Sequence, residues 1–379
     1  MLRKHSPLVL LALAAASLAA CAPQGSTALA SGTQPPPSPA ASAPADPQQA
    51  KVDLGRKLLF DQRMSRPRGI ACGTCHDPFI GWGDGRPQGK GVQDHTLSGD
   101  TNGDGRPDHD SHLAVAGNQF KTILTDRNTP TLYNAHIFPN LFWDGRAGDL
   151  GHQAQFPVEG FNEMNSTWDG DVLPMLSQDP EYVEMFAAAF GPDSINKINA
   201  AKAMGEYEKT ISVFDTPYDM YLAGDLTAMS PDAIAGLELF RNKANCVACH
   251  TEPMLSNFGF VNTGVPNAGP LVLKGQYDYG FGVRTDLTVD PPVVYNDPAD
   301  YMKFKVAQLR MVALTGPYMH NGGIETLEDV VEFYNQGGGP DLSGHNTKAP
   351  GLAPLGLTDQ EKSNLVTFLR EGLTGTPIE

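Results

Sequence analysis

Two short strings of the same pattern constrain this chain more than any other feature of its sequence. Cys72–His76 and Cys246–His250 both read Cys-x-x-Cys-His. When such a string forms one helical turn, its two sulfurs can bond the vinyl groups of a haem, and the adjacent histidine can bind the iron from one face. The sequence therefore predicts two covalently bound haems c. The attachment and iron-binding residues would be Cys72, Cys75, Cys246, Cys249, His76 and His250.

Two other uses of paired cysteines fit the sequence less well. Four cysteines can hold a zinc ion, but here 170 residues separate the two pairs. A thioredoxin-like redox pair does not require a histidine after it in both copies, and the flanks lack a strand–helix–strand pattern. Haem attachment is the interpretation that accounts for both strings.

The fifth cysteine stands at the end of a sequence typical of an export signal. Arg3 and Lys4 precede an apolar run over Leu8–Ala20, which leads directly to Cys21. The run is too short for a membrane-spanning helix. Residues 1–20 are therefore predicted to be a lipoprotein signal peptide, with Cys21 lipidated and the protein held on the periplasmic side of a bacterial membrane. An ordinary signal peptide cut nearby is the alternative, and it would leave an incidental thiol.

Composition separates a short tether from a globular body. Residues 21–50 are almost all Ala, Ser, Pro, Gly, Gln and Thr, so they cannot bury enough apolar surface to offset the entropy cost of ordering. The remaining length suffices for two domains with their own cores. With 27 Lys and Arg against 43 Asp and Glu, the formal charge is −16, which argues against nucleic acid as a partner.

The coarse pattern of the globular part is helix and loop. The 40 glycines and 31 prolines indicate long ordered loops. Loop is predicted over 77–128 and 251–300, and alternating strand patterns are scarce. Thr326 followed by Asp329 resembles a capping box. Helices are predicted over Asn199–Phe214, Ala233–Asn242, Leu327–Tyr334 and Asp359–Glu371. The predicted fold class is mainly α.

Longer strings give the chain a specific resemblance to one family. These strings lie at 127–135 (RNTPTLYNA), 142–146 (FWDGR) and 309–322, where LR leads to ALTGPYMHNG. With the two haem motifs, they resemble the bacterial di-haem cytochrome c peroxidases, whose superfamily also contains the MauG-type di-haem enzymes. The resemblance runs from about Leu54 to Leu373. It implies two cytochrome c-like helical haem domains with long loops, an N-terminal peroxidatic domain over 51–215 and a C-terminal electron-transfer domain over 216–379.

The resemblance assigns catalytic roles to particular residues. Glu163 matches the family's acid/base beside the peroxide-binding haem, alongside Gln153 and Pro157. The residues alone leave Glu159 as a competitor, and register with the family favours Glu163. Trp143 matches the family's tryptophan between the two haems, where an indole can bridge electron transfer. Without the resemblance, that tryptophan is interpreted as a large core residue.

The same resemblance implies further ligands. Asn128, with the backbone carbonyls of Thr315 and Pro317, matches an inter-haem calcium site built from hard oxygen ligands. At the second haem, the position of the usual axial methionine falls on Tyr334, which resembles the His/Tyr ligation of MauG-type enzymes. An anionic oxygen ligand stabilises ferric iron and should lower the reduction potential. Met319 is the rival ligand.

The first haem is expected to have an open position for peroxide. The family's distal histidine aligns close to Val92, so His76 would be the only protein ligand of that iron. The histidines that could contradict this expectation are His95, His109 and His112.

An insertion after the first haem motif imitates the start of a calcium-binding loop. Its carboxylate and amide oxygens at positions one, three, five and nine belong to Asp100, Asn102, Asp104 and Asp108. Position twelve is Ser111 rather than glutamate, so an acidic solvated loop is an equal alternative.

These features predict a membrane-tethered enzyme that reduces hydrogen peroxide to water. Its electrons would come from a small redox protein, a cytochrome c or a cupredoxin, and pass from the C-terminal haem to the N-terminal haem. A MauG-like enzyme that oxidatively modifies a protein partner is the alternative among enzymes. A non-catalytic di-haem electron carrier is the alternative of another class. A second copy of the chain is a further candidate partner.

Overall fold

Helices form most of the regular structure of this chain. The computed structural model describes residues 46–66, 68–94, 121–273, 275–286 and 292–378. The α-helices are α1 (Pro47–Leu59), α2 (Cys72–Cys75), α3 (Leu150–Gln153), α4 (Phe156–Glu159), α5 (Leu173–Gln178), α6 (Pro180–Phe190), α7 (Lys197–Glu208), α8 (Pro217–Leu222), α9 (Pro231–Arg241), α10 (Pro270–Leu273), α11 (Leu327–Asn335) and α12 (Asp359–Thr367). Short 3₁₀ or π segments lie at Gln62–Met64, Pro78–Ile80, Ala135–Ile137, Trp168–Val172, Cys246–Ala248, Pro298–Asp300, Val312–Leu314 and Phe368–Gly372. The predicted mainly α class is confirmed.

Short strands pair into antiparallel two-stranded sheets within the described residues. The pairs are β1 (Lys90–Asp94) with β2 (Lys121–Leu124), β3 (Phe260–Val261) with β6 (Phe304–Lys305), and β4 (Val283–Asp286) with β5 (Val293–Asn296). They correct the prediction of loop over 77–128 and 251–300. Strands of two to five residues are too short to produce a recognisable alternation in the sequence.

The first core lies where α1 packs against α6 and α7. Leu54 and Leu58 of α1 and Met204 of α7 are completely buried there. Gly55 allows the helices to touch, because a Cβ at that position would lie 1.9 Å from the carbonyl oxygen of Ala203. A larger residue would therefore separate α1 from α7.

The second core is built in the same manner from α9, α11 and α12. Leu237 of α9 and Phe368, just after α12, are completely buried. A Cβ on Gly236 would lie 2.1 Å from the carbonyl oxygen of Asn364. The buried members of the first core come from residues 54–204 and those of the second from 218–373. The domain boundary near residue 215 stays a prediction.

A third cluster joins residues from both parts of the chain. Trp82, Tyr133 and Tyr207 pack there with Met311. The indole N–H of Trp82 donates to the carbonyl oxygen of Ile378, 2.8 Å away. The C-terminal end of the chain is thus held against the segment that follows the first haem motif.

The four helices predicted from periodicity are confirmed as α7, α9, α11 and α12, with shifted ends. The largest shift is in α7, which ends at Glu208 rather than Phe214. Beyond it the chain leaves the helical path, and Ile211 and Val213 are buried in the third cluster. The capping interaction at the start of α11 is present, because the Thr326 hydroxyl accepts a hydrogen bond from the N–H of Asp329 at 3.1 Å.

The first helix corrects the boundary of the predicted tether. α1 begins at Pro47, inside the range 21–50, because the Asp46 carboxylate accepts a hydrogen bond from the N–H of Gln48 at 3.0 Å. Proline at the first helical position needs no such partner. None of the helices in the described ranges is long and apolar enough to cross a membrane.

Candidate haem sites

The first Cys-x-x-Cys-His string forms the single helical turn α2. The turn closes where the N–H of His76 donates to the carbonyl oxygen of Cys72 at 2.8 Å. The imidazole Nδ1 of His76 lies 3.1 Å from the carbonyl oxygen of Trp82. A carbonyl can only accept, so Nδ1 carries the proton and Nε2 keeps a lone pair for a metal. Burial lowers the pKa of His76, which favours the neutral form that a metal requires.

The second string repeats this arrangement. The N–H of His250 donates to the carbonyl oxygen of Cys246 at 2.9 Å, and the His250 Nδ1 lies 3.0 Å from the carbonyl oxygen of Leu255. Trp82 and Leu255, which supply the two carbonyls, are both completely buried and both have left-handed backbones, with φ of 58° and 57°. Bulky residues adopt that conformation only where their surroundings hold them. Each half therefore fixes its histidine in the same way.

A cavity of about 500 Å³ opens beside the second string. Cys246, Cys249 and His250 line it together with Tyr334 of α11, and most of the remaining wall is apolar. Its size and its mostly apolar lining suit a haem, which is a large and largely apolar group that a few polar residues can hold. Burial raises the pKa of Tyr334 to about 12, and the hydroxyl also bonds the side chain of Thr263. The residues predicted for the second haem are thus gathered around one space.

Met319, the rival axial ligand, lines the same cavity. It lies in a turn with a left-handed backbone, φ 73°. Both candidate side chains therefore belong to the cavity wall.

The two candidate acid/base residues differ sharply in environment. Glu159 is exposed, and its carboxylate lies 3.2 Å from the ammonium of Lys197. Glu163 is partly buried, and its carboxylate folds back over Gly160, where a Cβ would lie 2.3 Å from Oε2. Burial raises the pKa of Glu163, opposed by the positive charge of Arg146. Burial thus favours the protonated form of Glu163, as a proton carrier requires.

Glu163 lies close to the first haem motif. Burial raises the pKa of the Cys72 and Cys75 thiols, and the charge of Glu163 adds to that shift in both. Gln153 ends α3 and Pro157 lies in α4, both partly buried. The carbonyl oxygen of Pro157 accepts a hydrogen bond from Met164 at 3.2 Å, which folds this segment into a compact turn.

Trp143 lies on the cavity wall and is tied to both parts of the chain. Its indole N–H donates to the carbonyl oxygen of Asn128 at 2.9 Å. The N–H of Asn128 donates in turn to the carbonyl oxygen of His320 at 2.8 Å, and its side-chain amide donates to the carbonyl oxygen of Arg86 at 2.7 Å. A continuous path of hydrogen bonds therefore joins the segment after the first motif to the 309–322 string.

The residues predicted for the inter-haem calcium, Asn128, Thr315 and Pro317, all line this cavity. Because the amide nitrogen of Asn128 is used by Arg86, its side-chain oxygen is the atom left for a cation. Elsewhere in the described ranges, no three His, Cys, Asp or Glu side chains are grouped to hold a metal ion.

The sequence analysis missed a cluster of charged side chains, one of which, Asp278, lines the cavity. Arg127 lies 2.7 Å from both Asp144 and Asp278, and Arg146 lies 2.9 Å from Asp144. Burial alone would raise the pKa of Asp144, but the two arginines hold it below its usual range. Three of these four residues stand in the strings 127–135 and 142–146, whereas the aspartate at 278 lies in a stretch predicted as loop.

Several predicted positions lie outside the described residues. These are Cys21, Asp100, Asn102, Asp104, Asp108, His95, His109 and His112. Val92 belongs to β1, and only its backbone is described.

Two Cys-x-x-Cys-His turns, each with an oriented histidine, define a di-haem c-type cytochrome. The family model described as di-haem cytochrome c peroxidase matches residues 49–227. The chain is 37% identical over 346 residues to the cytochrome-c peroxidase IdrP2 of Denitromonas iodatirespirans, covering 86% of this chain and 82% of that protein. It is 31% identical over 322 residues to the methylamine utilization protein MauG of Methylophilus methylotrophus, covering 84% and 81%.

A solved structure agrees with these sequence relatives. A MauG-like protein associated with microbial copper homeostasis superposes with a TM-score of 0.67 at 27% identity, covering 86% of this chain and 89% of that chain. The chain belongs to the di-haem cytochrome c peroxidase family. It is a peroxidase-type oxidoreductase, and membership of this family implies two c-type haems.

Proposed function

We propose that this protein reduces hydrogen peroxide to water at the haem attached to Cys72 and Cys75. Two electrons and two protons are consumed for each peroxide. The observation that carries the proposal is the partly buried Glu163 carboxyl, whose charge acts on both thiols of the first motif and whose pKa burial raises. Small redox proteins, a cytochrome c or a cupredoxin, would supply the electrons through the second haem.

Each protein group in this reaction has a separate task. When bound, the haems supply peroxide binding and one-electron storage. His76 holds Nε2 toward the first site, because its other nitrogen is tied to the carbonyl of Trp82. Burial favours the protonated form of Glu163, which can pass a proton between the two peroxide oxygens. Gln153 and Pro157 lie in the helices just before Glu163 and would help to position its carboxyl.

Trp143 is proposed to relay electrons between the two sites. Its position on the cavity wall of the second motif, and its hydrogen bond to Asn128, support that role. Calcium bound by Asn128, Thr315 and Pro317 would fix the same region, and the loop from Asp100 to Asp108 is proposed as a weaker second site.

The acid/base role is tested with a matched pair of variants. Glu163→Gln removes the proton carrier and should lower steady-state peroxide turnover at least 100-fold, the usual range for general acid–base catalysis being about 10² to 10⁴. Glu159→Gln removes a carboxylate four residues away and should leave turnover unchanged. Haem content, measured by absorbance, should equal two in both. Equal turnover in the two variants would refute the role of Glu163.

A MauG-like modification of a protein partner is the second candidate function. It is favoured by Tyr334, which lines the cavity that contains His250 and is an oxygen donor of the type expected for His/Tyr ligation. Replacement Tyr334→Met should raise the potential of the second haem and change its ligand signals in resonance Raman or magnetic spectra. An unchanged spectrum would exclude the tyrosine as ligand and favour Met319.

Resting-state spin measurements separate both enzymes from a non-catalytic electron carrier. A high-spin ferric signal supports a vacant position at the first haem, with His76 as sole protein ligand. Two wholly low-spin haems, unchanged when peroxide is added, would support the carrier.

The proposed location is the periplasmic side of a bacterial membrane. The apolar run before Cys21 supports a lipid anchor there. Replacing Cys21 by serine should move the protein from the membrane fraction to the periplasmic extract. A second copy of the chain stays a candidate partner, which light scattering would test.

A further inference from the structure

Lys305 lines the cavity and makes no ion pair within the described part of the chain. Its backbone is fixed in β6, where it pairs with Phe260 and donates its N–H to the carbonyl oxygen of Trp143 at 2.9 Å. Its side chain lines the cavity, and the ammonium lies 4.4 Å from the centre of the Phe138 ring. Burial lowers the pKa of Lys305 to about 8, and the negative charge of Asp144 opposes that shift.

The carboxylates in the charged cluster near Lys305 are already paired with arginine. Asp144 pairs with Arg127 and Arg146, and Asp278 takes two hydrogen bonds from Arg127 at 2.7 and 2.8 Å. The charge of Asp144 acts on Lys305, but neither carboxylate forms an ion pair with it. Buried charges in proteins are normally paired.

The remaining titratable neighbour adds no negative charge. The His320 ring stacks on Phe304 with ring centres 3.5 Å apart and planes 8° from parallel. Burial lowers the pKa of His320 to about 4, so the ring is neutral at pH 7. Within the described residues, no anion therefore makes an ion pair with the Lys305 ammonium.

We propose that Lys305 binds a propionate carboxylate of the haem attached to Cys246 and Cys249. Haem is largely apolar and carries its two carboxylates at one edge. The wall of the cavity includes both sulfurs and His250, and it also includes Lys305 and Trp143. A propionate would supply the missing anion. The inference rests on the second haem occupying this cavity, and it is independent of peroxide turnover.

The binding would position the haem relative to Trp143. One peptide hydrogen bond joins the backbone of Lys305 to that of Trp143, so the residue that holds the propionate is tied directly to the proposed relay. Lys305 would also control the reduction potential of the second haem. A compensated propionate stabilises the ferric state less than an uncompensated one, because its negative charge is neutralised.

The test compares three variants of the holoprotein by spectroelectrochemistry from pH 5 to pH 9. Lys305→Met removes the charge but keeps an unbranched apolar stem, and Lys305→Arg keeps the charge. Lys243→Met is the matched control, because Lys243 is exposed and pairs with Glu361 outside the cavity. Lys305→Met should lower the equilibrium constant for reduction of the second haem at least tenfold at pH 8, which is about 59 mV for one electron. The other two variants should change it less than threefold.

The pH dependence provides a second signature. Without its cation, the buried propionate should take up a proton at higher pH, so the potential of Lys305→Met should rise as the pH falls, more steeply than in the native protein. A change below threefold with an unaltered pH profile, in a variant that retains both haems, would overturn the proposal. So would equal shifts in Lys305→Met and Lys243→Met.

A crystal structure of the native holoprotein tests the contact even if the methionine variant does not assemble. The Lys305 Nζ should lie within hydrogen-bond distance of a propionate oxygen of the second haem. Both propionates bound by other groups would refute the inference. If the contact is present and the potentials shift as expected, but the native holoprotein does not reduce peroxide, the proposed function alone would be refuted.

Discussion

Glu208 is a buried carboxyl whose replacement should stabilise the protein at alkaline pH. It ends α7, is 5% exposed, and its Oε2 has no hydrogen-bond partner within the described part of the chain. Burial raises the pKa of Glu208 from its usual 4.5 to about 8. The folded protein therefore holds this proton at a pH where the unfolded chain has released it.

The size and sign of the effect follow from proton linkage. Between pH 4.5 and about 8, the folded state binds more protons than the unfolded state, so the free energy of unfolding falls as the pH rises. The pKa difference, 8 minus 4.5, is about 3.5, and each unit corresponds to about 1.36 kcal/mol. Between pH 4.5 and about pH 8, the free energy of unfolding should therefore fall by on the order of 5 kcal/mol because of this one group.

Glu208→Gln removes this titration while preserving shape. Urea unfolding of the holoprotein, followed by circular dichroism, should show a gain over the native protein at pH 8.5 that exceeds the gain at pH 5 by roughly 3 to 5 kcal/mol. Glu206→Gln is the control, because the Glu206 carboxylate accepts a hydrogen bond from Lys209 at 2.8 Å and has a lowered pKa. A gain of equal size at both pH values would show that Glu208 does not titrate in this window and would refute the reasoning.

Three further tests concern the packing and the charges. Gly55→Ala and Gly236→Ala should each lower the free energy of unfolding by about 1 to 3 kcal/mol, because their methyl groups meet backbone oxygens of the opposing helix. An unchanged free energy of unfolding in both variants, measured by urea titration, would contradict these close helix contacts. Arg310→Met should cost about 3 to 5 kcal/mol by leaving the Asp219 carboxylate without its buried partner, and a neutral result would contradict the importance of that pair. Removing calcium from the holoprotein with a chelator should lower its melting temperature, and added calcium should restore it; no change would argue against the inter-haem site.

The haem-binding turns could be predicted from the sequence because all their parts are local. Two residues separate Cys72 from Cys75, and the histidine follows at once, so one helical turn is enough. The start of α11 could also be predicted, because the side chains of Thr326 and Asp329 themselves form the capping interaction. The end of α7 was not, because it depends on the burial of Ile211 in a distant cluster.

The two acidic residues near the first site illustrate the limit of local reasoning. Glu159 and Glu163 are four residues apart and chemically alike, so the residues alone could not separate them. The distinction comes from the turn at Gly160 and from Lys197, which is 38 positions from Glu159 along the chain. Only the alignment with the family's motifs favoured Glu163 over Glu159 before the structure was considered.

The charged cluster shows the same limit over longer distances. Arg127 and Asp278 are 151 residues apart, and an ion pair across that separation leaves no pattern in either segment. Lys305 lies in a two-residue strand, which is too short to show which face is buried. These residues became interpretable only when the fold brought them to one cavity.

The repeated carbonyl contacts at Trp82 and Leu255 have a consequence for how the two irons come to differ. Each histidine donates a hydrogen bond from its Nδ1–H to the carbonyl of a buried residue with a left-handed backbone. The two imidazoles would therefore donate nearly equal electron density to their irons. A common proximal side cannot make one iron reactive and the other a reservoir. The difference in role proposed for the two sites would therefore come from other residues, Glu163 near the first site and Tyr334 at the second. Two copies of the same haem-binding turn can thus acquire different roles through changes in the surrounding residues alone. The carbonyl contacts that orient the two histidines need not change.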